Sequence, residues 1–394
     1  MRVRTHSVDA AEATPGLIGP EIGALPEMSM SLLNGLRVVE VSCTPRAGFC
    51  GKMLVDAGAE VIKLSLPGDE DPGAFSNWLD RGKESVVLDW RTDEGARLLS
   101  RLLGSVDVLV SDIECEGPAR ELAAAAANAT ALVHVSTSDL GHSGPFAERP
   151  SSDLIVAALS GMCYINGEAG RLPLREPGNQ ARIVAGIAAY LGVLAAVINR
   201  GQTGKGQAVE VSALEALVNV LNPSVLQSSY QDGQPRRQPS AQGFLVDCAD
   251  GRVSIITSAQ RSWDTILDLW GITPSEEDAP RFTEGERRKH HAEIRAFFGP
   301  VLAPRDRQDV FEEMCAVRVP AGMLMSPADL LTDRHLLARE AFDALTGAEG
   351  AAPTFPGPGF RVAGERPGAD RGVPAFGADT ASVLAPLAAE EVRA

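Results

Sequence analysis

LRVVEVSCTPRAGFCGKMLVDAGAEVIKL, residues 36–64, is the stretch on which the fold turns. Residues 36–41 are a short β-branched run, the composition of a buried strand. A helix is expected over 50–57, stopped by Gly58, and residues 60–64 (EVIKL) make a second strand. Strand, helix and strand in this order give a parallel pair joined by a crossover helix. Between the first strand and the helix stands CTPRAGFCG rather than GxGxxG, so the dinucleotide fingerprint is absent and a nicotinamide role has no support.

The alternation continues downstream. SVVLDW (85–90) reads as a third strand, and residues 92–105 as a helix opened by Thr92 with Glu94 in its first turn. VDVLVSD (106–112) is a fourth strand, 121–128 an Ala-rich helix, and ALVHVST (131–137) a fifth strand. Several of these strands are apolar throughout, as strands covered on both faces are. The expected fold class is therefore α/β: a Rossmann-like, doubly wound parallel sheet.

Beyond it, 181–198 reads as one long apolar helix ending in the turn RGQTGKGQ (200–207), with Gly204 and Gly206 expected at positive φ. Residues 223–243 have a linker composition, and 244–257 read as a hairpin turning on Ala249, Asp250 and Gly251. Three helices follow, in SWDTILDLWGI, HHAEIRAFFGPVLA and RDRQDVFEEMCA, and a short one closes the chain at ADTASVLAPL. The expected division is a loose extension (1–32), a large domain (33–222), an inserted smaller α/β domain (223–334) and a tail returning to the large domain (335–394).

The formal net charge of −16 argues against nucleic acid as a partner, since phosphate backbones are bound by clustered cations. It also requires that an anionic ligand be held by a local basic pocket against the field of the whole chain. The 6 cysteines and 6 histidines are scattered, without CxxC or HExxH, so no metal site is expected. Adjacent His290 and His291 would point about 100° apart on a helix, a poor chelating pair. No apolar run was expected to reach the roughly 18–20 residues that span a membrane. The N-terminal stretch lacks a continuous apolar segment and does not read as a secretory signal, so the expected location is cytoplasmic.

One residue in the long helix stands out. Arg182 falls in its first turn, where the helix end carries about half a positive charge and favours Asp or Glu.

The ordered series of motifs resembles the class III CoA-transferases, which include the carnitine-dehydratase-like enzymes, formyl-CoA transferase and α-methylacyl-CoA racemase. LNGLRVVEVS with AGAEVIKL, then DRGKESVVLDWRTDEGARLLSRLLGSVDVLVSD, then LVHVSTSDLGHSGPFAERPSSDLIVAALSG, follow the order of that family. AGIAAYLGVLAAVINRGQTGKGQAVEVS, RVPAGMLMSPADLLTDRHLLARE and PAFGADTASVLAPL complete the resemblance, from residue 33 nearly to the end. It implies an interlocked homodimer, a CoA thioester bound at the large domain and an acyl group near the domain interface.

The resemblance also explains why Arg182 matters. In the transferases a catalytic Asp opens the long helix, and counting back from Gly186 and from Arg200 places Arg182 in that position. The racemases use an Asp there too, with a His directly before the Asp that matches Asp153; here Ser152 stands instead. A guanidinium cannot attack a thioester as a carboxylate does, and it stays protonated. In the formyl-CoA transferase branch a Lys follows the fifth strand, and the nearest match is Asp139. The cations retained for CoA are Lys83, Lys63 and Arg46, with Lys83 expected to face solvent in the DRGK turn.

Each candidate has a structural reading beside the functional one. Arg182 either pairs with a carboxylate, such as Glu176 or an acid of the second subunit, or serves an anion site at the helix start. Asp153 either caps a helix or acts as a general base, and loop residue His142 is either solvated or an acid–base group. Arg236 and Arg237 fall in the linker, as a solvated stretch or a lid.

The leading expectation is an enzyme acting on an acyl thioester or related carboxylic acid by non-covalent acid–base or electrostatic chemistry, in a specialised biosynthetic pathway. Its substrate would be CoA-borne or held on an acyl carrier protein. The alternatives are a catalytically silent subunit or binding protein, and a transferase using a carboxylate elsewhere, such as Glu176 or Asp153.

Overall fold

The computed structural model describes residues 31–389 apart from 70–72, 113–115, 148, 168–169, 231–242, 257–259, 284–285, 287–289, 345–353, 363 and 368–371. The expected extension, except its last two residues, and the pair Arg236 and Arg237 therefore lie outside the described residues.

The chain begins β1 (Arg37–Val41), α1 (Pro45–Asp56), β2 (Glu60–Ser65), α2 (Ala74–Asp80), β3 (Glu84–Val87), α3 (Asp93–Gly104) and β4 (Val108–Ser111). It continues α4 (Glu116–Ala127), β5 (Val133–Ser138), α5 (Asp153–Leu159), α6 (Met162–Ile165), α7 (Gln180–Thr203), β6 (Ala208–Ser212), α8 (Ala213–Val220) and α9 (Asn222–Tyr230). Strands β1 to β6 form one sheet in the order β3-β2-β1-β4-β5-β6, every neighbouring pair parallel. Strand order reverses between β1 and β4, and open α/β sheets bind ligands beyond the carboxyl ends of strands at such a point.

Side chains alternate between two buried layers, because successive residues of a strand point to opposite faces. Val38, Val61, Val110 and Val135 meet α1, α7 and α8 on one face. Val39, Ile62, Leu64 and Leu109 meet Leu99, Leu102 and Leu122 of α3 and α4 on the other. The sheet is doubly wound, as its apolar strands suggested.

The second group of elements comprises β7 (Gly243–Cys248), β8 (Gly251–Ile256), α10 (Gln260–Leu269), α11 (His291–Leu302), α12 (Arg307–Ala316) and β9 (Ala321–Met323). The three strands are antiparallel and cover a core in which the Phe244 ring stacks on Phe298 at 5.3 Å between centroids, with Trp263 edge-on. The hairpin turn falls where expected, with Cys248 paired to Gly251. The tail contains α13 (Pro327–Leu330), α14 (Arg334–Ala338), β10 (Phe342–Ala344), β11 (Thr354–Pro356) and α15 (Thr380–Ala389). The start of α15 is fastened to β3: the Asp379 carboxylate accepts the Ser85 N–H at 2.9 Å, and the Thr380 hydroxyl accepts the Val87 N–H at 3.0 Å.

Four local expectations are corrected. Helix α1 starts at Pro45, not at residue 50, because Thr44 caps it and Pro45 fits its first turn. The first part of the 223–243 linker is helical, as α9. Gly204 does take positive φ (69°), but Gly206 does not: a Cβ there would overlap the Leu132 carbonyl, so close approach is what requires glycine. Finally, α7 is long and apolar enough to cross a membrane by length and composition. In this fold its Ala181, Ala185, Ala189 and Val193 belong to the sheet's core, the packing of a core helix. A Cβ at Gly186 would come within 2.8 Å of the Arg46 carbonyl oxygen, so α7 lies directly against α1.

Candidate active site

Among the described residues, four charged groups meet at the start of α7: Arg182, Asp153, Asp139 and Arg46. Asn179, with φ 58°, turns the chain into the helix but gives no side-chain cap. That task passes to Asp153 in the first turn of α5, whose Oδ1 accepts the Arg182 N–H at 3.1 Å. Asp153 is buried, and its own helix is capped by Ser152. Asp153 therefore supplies the negative charge that the α7 terminus favours.

Arg182 reaches Asp139, immediately after β5, with Nε at 3.2 Å from Oδ1 and Nη2 at 2.7 Å from Oδ2. This two-point geometry matches guanidinium to carboxylate. Arg46 of α1, fully buried, donates to the same Asp139, at the Oδ1 that Arg182 Nε also reaches. Burial opposes ionisation of Asp139, yet the hydrogen bonds and charges of Arg182 and Arg46 hold its carboxyl below the usual range. Arg182 thus pairs with Asp139, while Glu176, the acid expected from the sequence, accepts from Asn166 at 2.8 Å. Arg182 keeps 17% of its side chain exposed against 2% for Asp139, so it is the outward member of the pair.

His142 is not brought to this junction by its described hydrogen bonds. Its Nε2 lies 2.6 Å from Ser136 Oγ and its backbone N–H donates to Glu210 at 2.5 Å. Ser136 alternates with Val135, whose side chain is in the α7-facing core, so the His142 ring meets the opposite side of the sheet.

The cations expected to hold CoA are also committed internally. Lys83 is buried rather than solvent-facing, which corrects the expectation: its Nζ lies 2.7 Å from Glu40 and 3.2 Å from Asp80, and it donates to the Gly48 carbonyl at 3.2 Å. Lys63 of β2 bonds the other oxygen of Asp80. The result is an alternating row, Glu40–Lys83–Asp80–Lys63, beneath α1. Burial pushes the Glu40 carboxyl up; burial also works against the Lys83 ammonium, but the Glu40 and Asp80 charges hold its pKa above the ordinary value. A Cβ at Gly51 would overlap the Glu40 carboxylate, so that glycine makes room for the row.

Lys63 and Asp80 open onto a cavity of about 410 Å³ beyond the carboxyl ends of β1 and β2, lined also by Ser42, Phe75, Leu79 and Trp90. Ser42 Oγ donates to Glu40 Oε1 at 2.6 Å, linking cavity and row. The α1 N-terminus beside this cavity is closed by Asp112, whose carboxylate accepts the N–H groups of Cys43 (2.8 Å), Thr44 (3.2 Å) and Ala47 (3.4 Å) and the Thr44 hydroxyl. Arg46 leaves this helix turn toward the α7 junction.

A sequence profile of CoA-transferase family III matches residues 33–380. The chain belongs to that family. It is 26% identical over 333 residues to a succinate–glutarate CoA-transferase from Agrobacterium fabrum, covering 78% of this chain and 83% of that protein. A succinyl-CoA–D-citramalate CoA-transferase from Chloroflexus aurantiacus is 28% identical over 333 residues, covering 78% of this chain and 82% of the relative. The alpha subunit of a succinyl-CoA–L-malate CoA-transferase from Chloroflexus aurantiacus is 27% identical over 346 residues, covering 81% of this chain and 79% of the relative. A crystal structure of a CaiB/BaiF family protein from Brucella suis superposes with TM-score 0.82 at 25% identity, over 91% of this chain and all of the other. The chain is a CoA-transferase-like enzyme with the fold of that family. Asp139, Glu40, Asp80 and Asp112 are the residues that sequence reasoning did not place in its charged clusters.

Proposed function

We propose that this family III enzyme acts on an acyl thioester, or the related carboxylic acid, by non-covalent electrostatic and acid–base chemistry in a specialised biosynthetic pathway. The observation that carries the reading is the guanidinium at position 182, bonded at two points to Asp139 where a nucleophile would need to stand. Arg182, as the outward member, stabilises a substrate carboxylate or a developing oxyanion. Asp139 and Asp153 position it, one through the side chain and one through the backbone. Asp153 is the proton-moving candidate within this junction, and His142 serves a separate surface. CoA is the carrier that the relatives' names suggest, with an acyl carrier protein as the other thioester source.

The outer face of α7 supports a homodimer. Leu191 is 60% and Ile198 66% exposed, and Val225, Leu226 and Tyr230 extend the apolar surface along α9. A second copy of this chain would cover it, and sedimentation at micromolar concentration would show a dimer.

One observation favours a second reading, a silent subunit. Among the described residues the α7 junction joins Arg182 and Arg46 to Asp139, and Asp153 to the α7 backbone, contacts that hold α7 without a substrate, and one relative is itself named a subunit. Arg182→Ala separates the two. The enzymatic reading expects acyl-CoA turnover to fall about 100-fold, the scale of losing one oxyanion donor. Unchanged turnover would leave Arg182 a structural residue.

A further inference from the structure

We propose that Ser136 and His142 form a second reactive site, in which the serine hydroxyl attacks a small activated carboxylic ester and the imidazole moves its proton. The site is independent of the thioester reading above. Ser111, Ser136 and Glu210 lie in register across β4, β5 and β6. They face away from α7, since Val110, Val135 and Val211 belong to the α7-facing core. Two serine–histidine pairs stand on this face among the described residues: Ser111 Oγ lies 2.9 Å from His134 Nε2, and Ser136 Oγ 2.6 Å from His142 Nε2. They differ in access. Ser111 is buried, and its pair satisfies polar groups shielded from water. His142 is exposed and Ser136 partly so. Desolvation therefore does not require the second bond, and a small molecule can reach the hydroxyl.

The loop after β5 holds this open pair in place. Gly141, at φ 95°, donates its N–H to Ser138 Oγ at 2.8 Å, and the His142 N–H donates to Glu210 Oε1 at 2.5 Å. Glu210 is thus the positioning residue, and its carboxylate puts negative charge beside an imidazolium formed in the step. Burial and the charge of His142 push the His134 imidazole below its ordinary value, so the transferred proton stays on His142. In the tautomer with its proton on Nδ1, His142 accepts the Ser136 hydroxyl proton at Nε2 as Oγ bonds to the acyl carbon. It gives that proton to the ester oxygen as the C–O bond breaks and an alcohol leaves. Water then attacks the acyl carbon, its proton passes through Nε2 to Ser136 Oγ, and the carboxylic acid departs.

The test uses p-nitrophenyl acetate as the small ester, with nitrophenol release and peptide mass followed together and acyl-CoA turnover measured in parallel. The expected result is an acetyl group on Ser136. Ser136→Ala should lose the adduct and the ester turnover, with melting temperature and any acyl-CoA turnover unchanged. His142→Ala should slow ester turnover by about 100-fold, the lower end of what a positioned base supplies. Added imidazole should restore acetylation of Ser136 in that variant, which a purely structural role for the ring would not allow. An unmodified Ser136 in the parent, or equal ester turnover in parent and variants, would overturn the inference and leave a surface hydrogen bond. Loss of acyl-CoA turnover in a folded Ser136→Ala would overturn the separateness of the site. Acetylated Ser136 in a protein without acyl-CoA turnover would support the inference and sink the thioester reading alone.

Discussion

Two charged clusters among the described residues each hold two cations and two carboxylates and use them differently. At the start of α7 both cations are arginines: Asp153 takes a backbone N–H of α7, while the Asp139 carboxylate accepts from both Arg182 and Arg46. Beneath α1 both cations are lysines, arranged in a row with Glu40 and Asp80 that ends at the cavity. Guanidinium groups keep their protons at working pH, so the cations of the α7 junction are fixed charges. Beneath α1, burial pushes the Glu40 carboxyl up, while the Glu40 and Asp80 charges hold the Lys83 ammonium above its ordinary value. The cations at the α7 start are thus fixed, and in the row beneath α1 the group pushed toward its neutral form is Glu40.

The largest way to break this comparison is Lys83→Met. It leaves Glu40 buried without its nearest counter-charge, and stability in urea should fall by about 3–5 kcal/mol, the usual consequence of breaking a buried pair from one side. A loss below about 1 kcal/mol would show that Glu40 is neutral without Lys83.

Asp139→Asn sharpens the other side. Arg46 would keep a buried charge facing a neutral amide, with an expected loss of about 3 kcal/mol at pH 7. The pH dependence has a definite sign. Asp139 is held below the ordinary range, so its contribution is complete above the unfolded value of about 3.9 and disappears as pH falls through the lower folded value. Chemical denaturation of parent and variant at pH 7, 5 and 3 should give curves that differ equally at the first two and less at the third.

The smallest effect is expected for Asp153→Ala. Losing the carboxylate that caps α7 should reduce stability by about 1 kcal/mol, as removed helix caps do. A much larger loss would mean that Asp153 also balances the guanidinium groups.

Sequence patterns carried most of the sheet. β-Branched runs and the Thr92 cap sit where the periodicity put them, and Arg182, the residue that stood out, pairs with a carboxylate other than the Glu176 expected. What the sequence hid were partners distant along the chain. Arg182 and Asp139 are 43 positions apart, Glu40 and Lys83 also 43, and Cys43 and Asp112 69. A signal was present in two cases: Glu40 interrupts an apolar strand, and Asp139 directly follows one. Neither reveals a partner, because pairing depends on which strand ends the sheet order brings together. The exposure of Lys83 was misjudged for a related reason. A lysine in a Gly-containing turn looks solvated until α1 is seen to lie over it.

Peptide mass mapping after incubation with an acyl-CoA, with CoA release followed in the same sample, tests the central claim most directly. The account predicts CoA-thioester turnover with every carboxylate around the α7 start, Asp139, Asp153 and Glu176 included, at its unmodified mass. An acyl group retained on any of the three would contradict it and restore a covalent carboxylate mechanism.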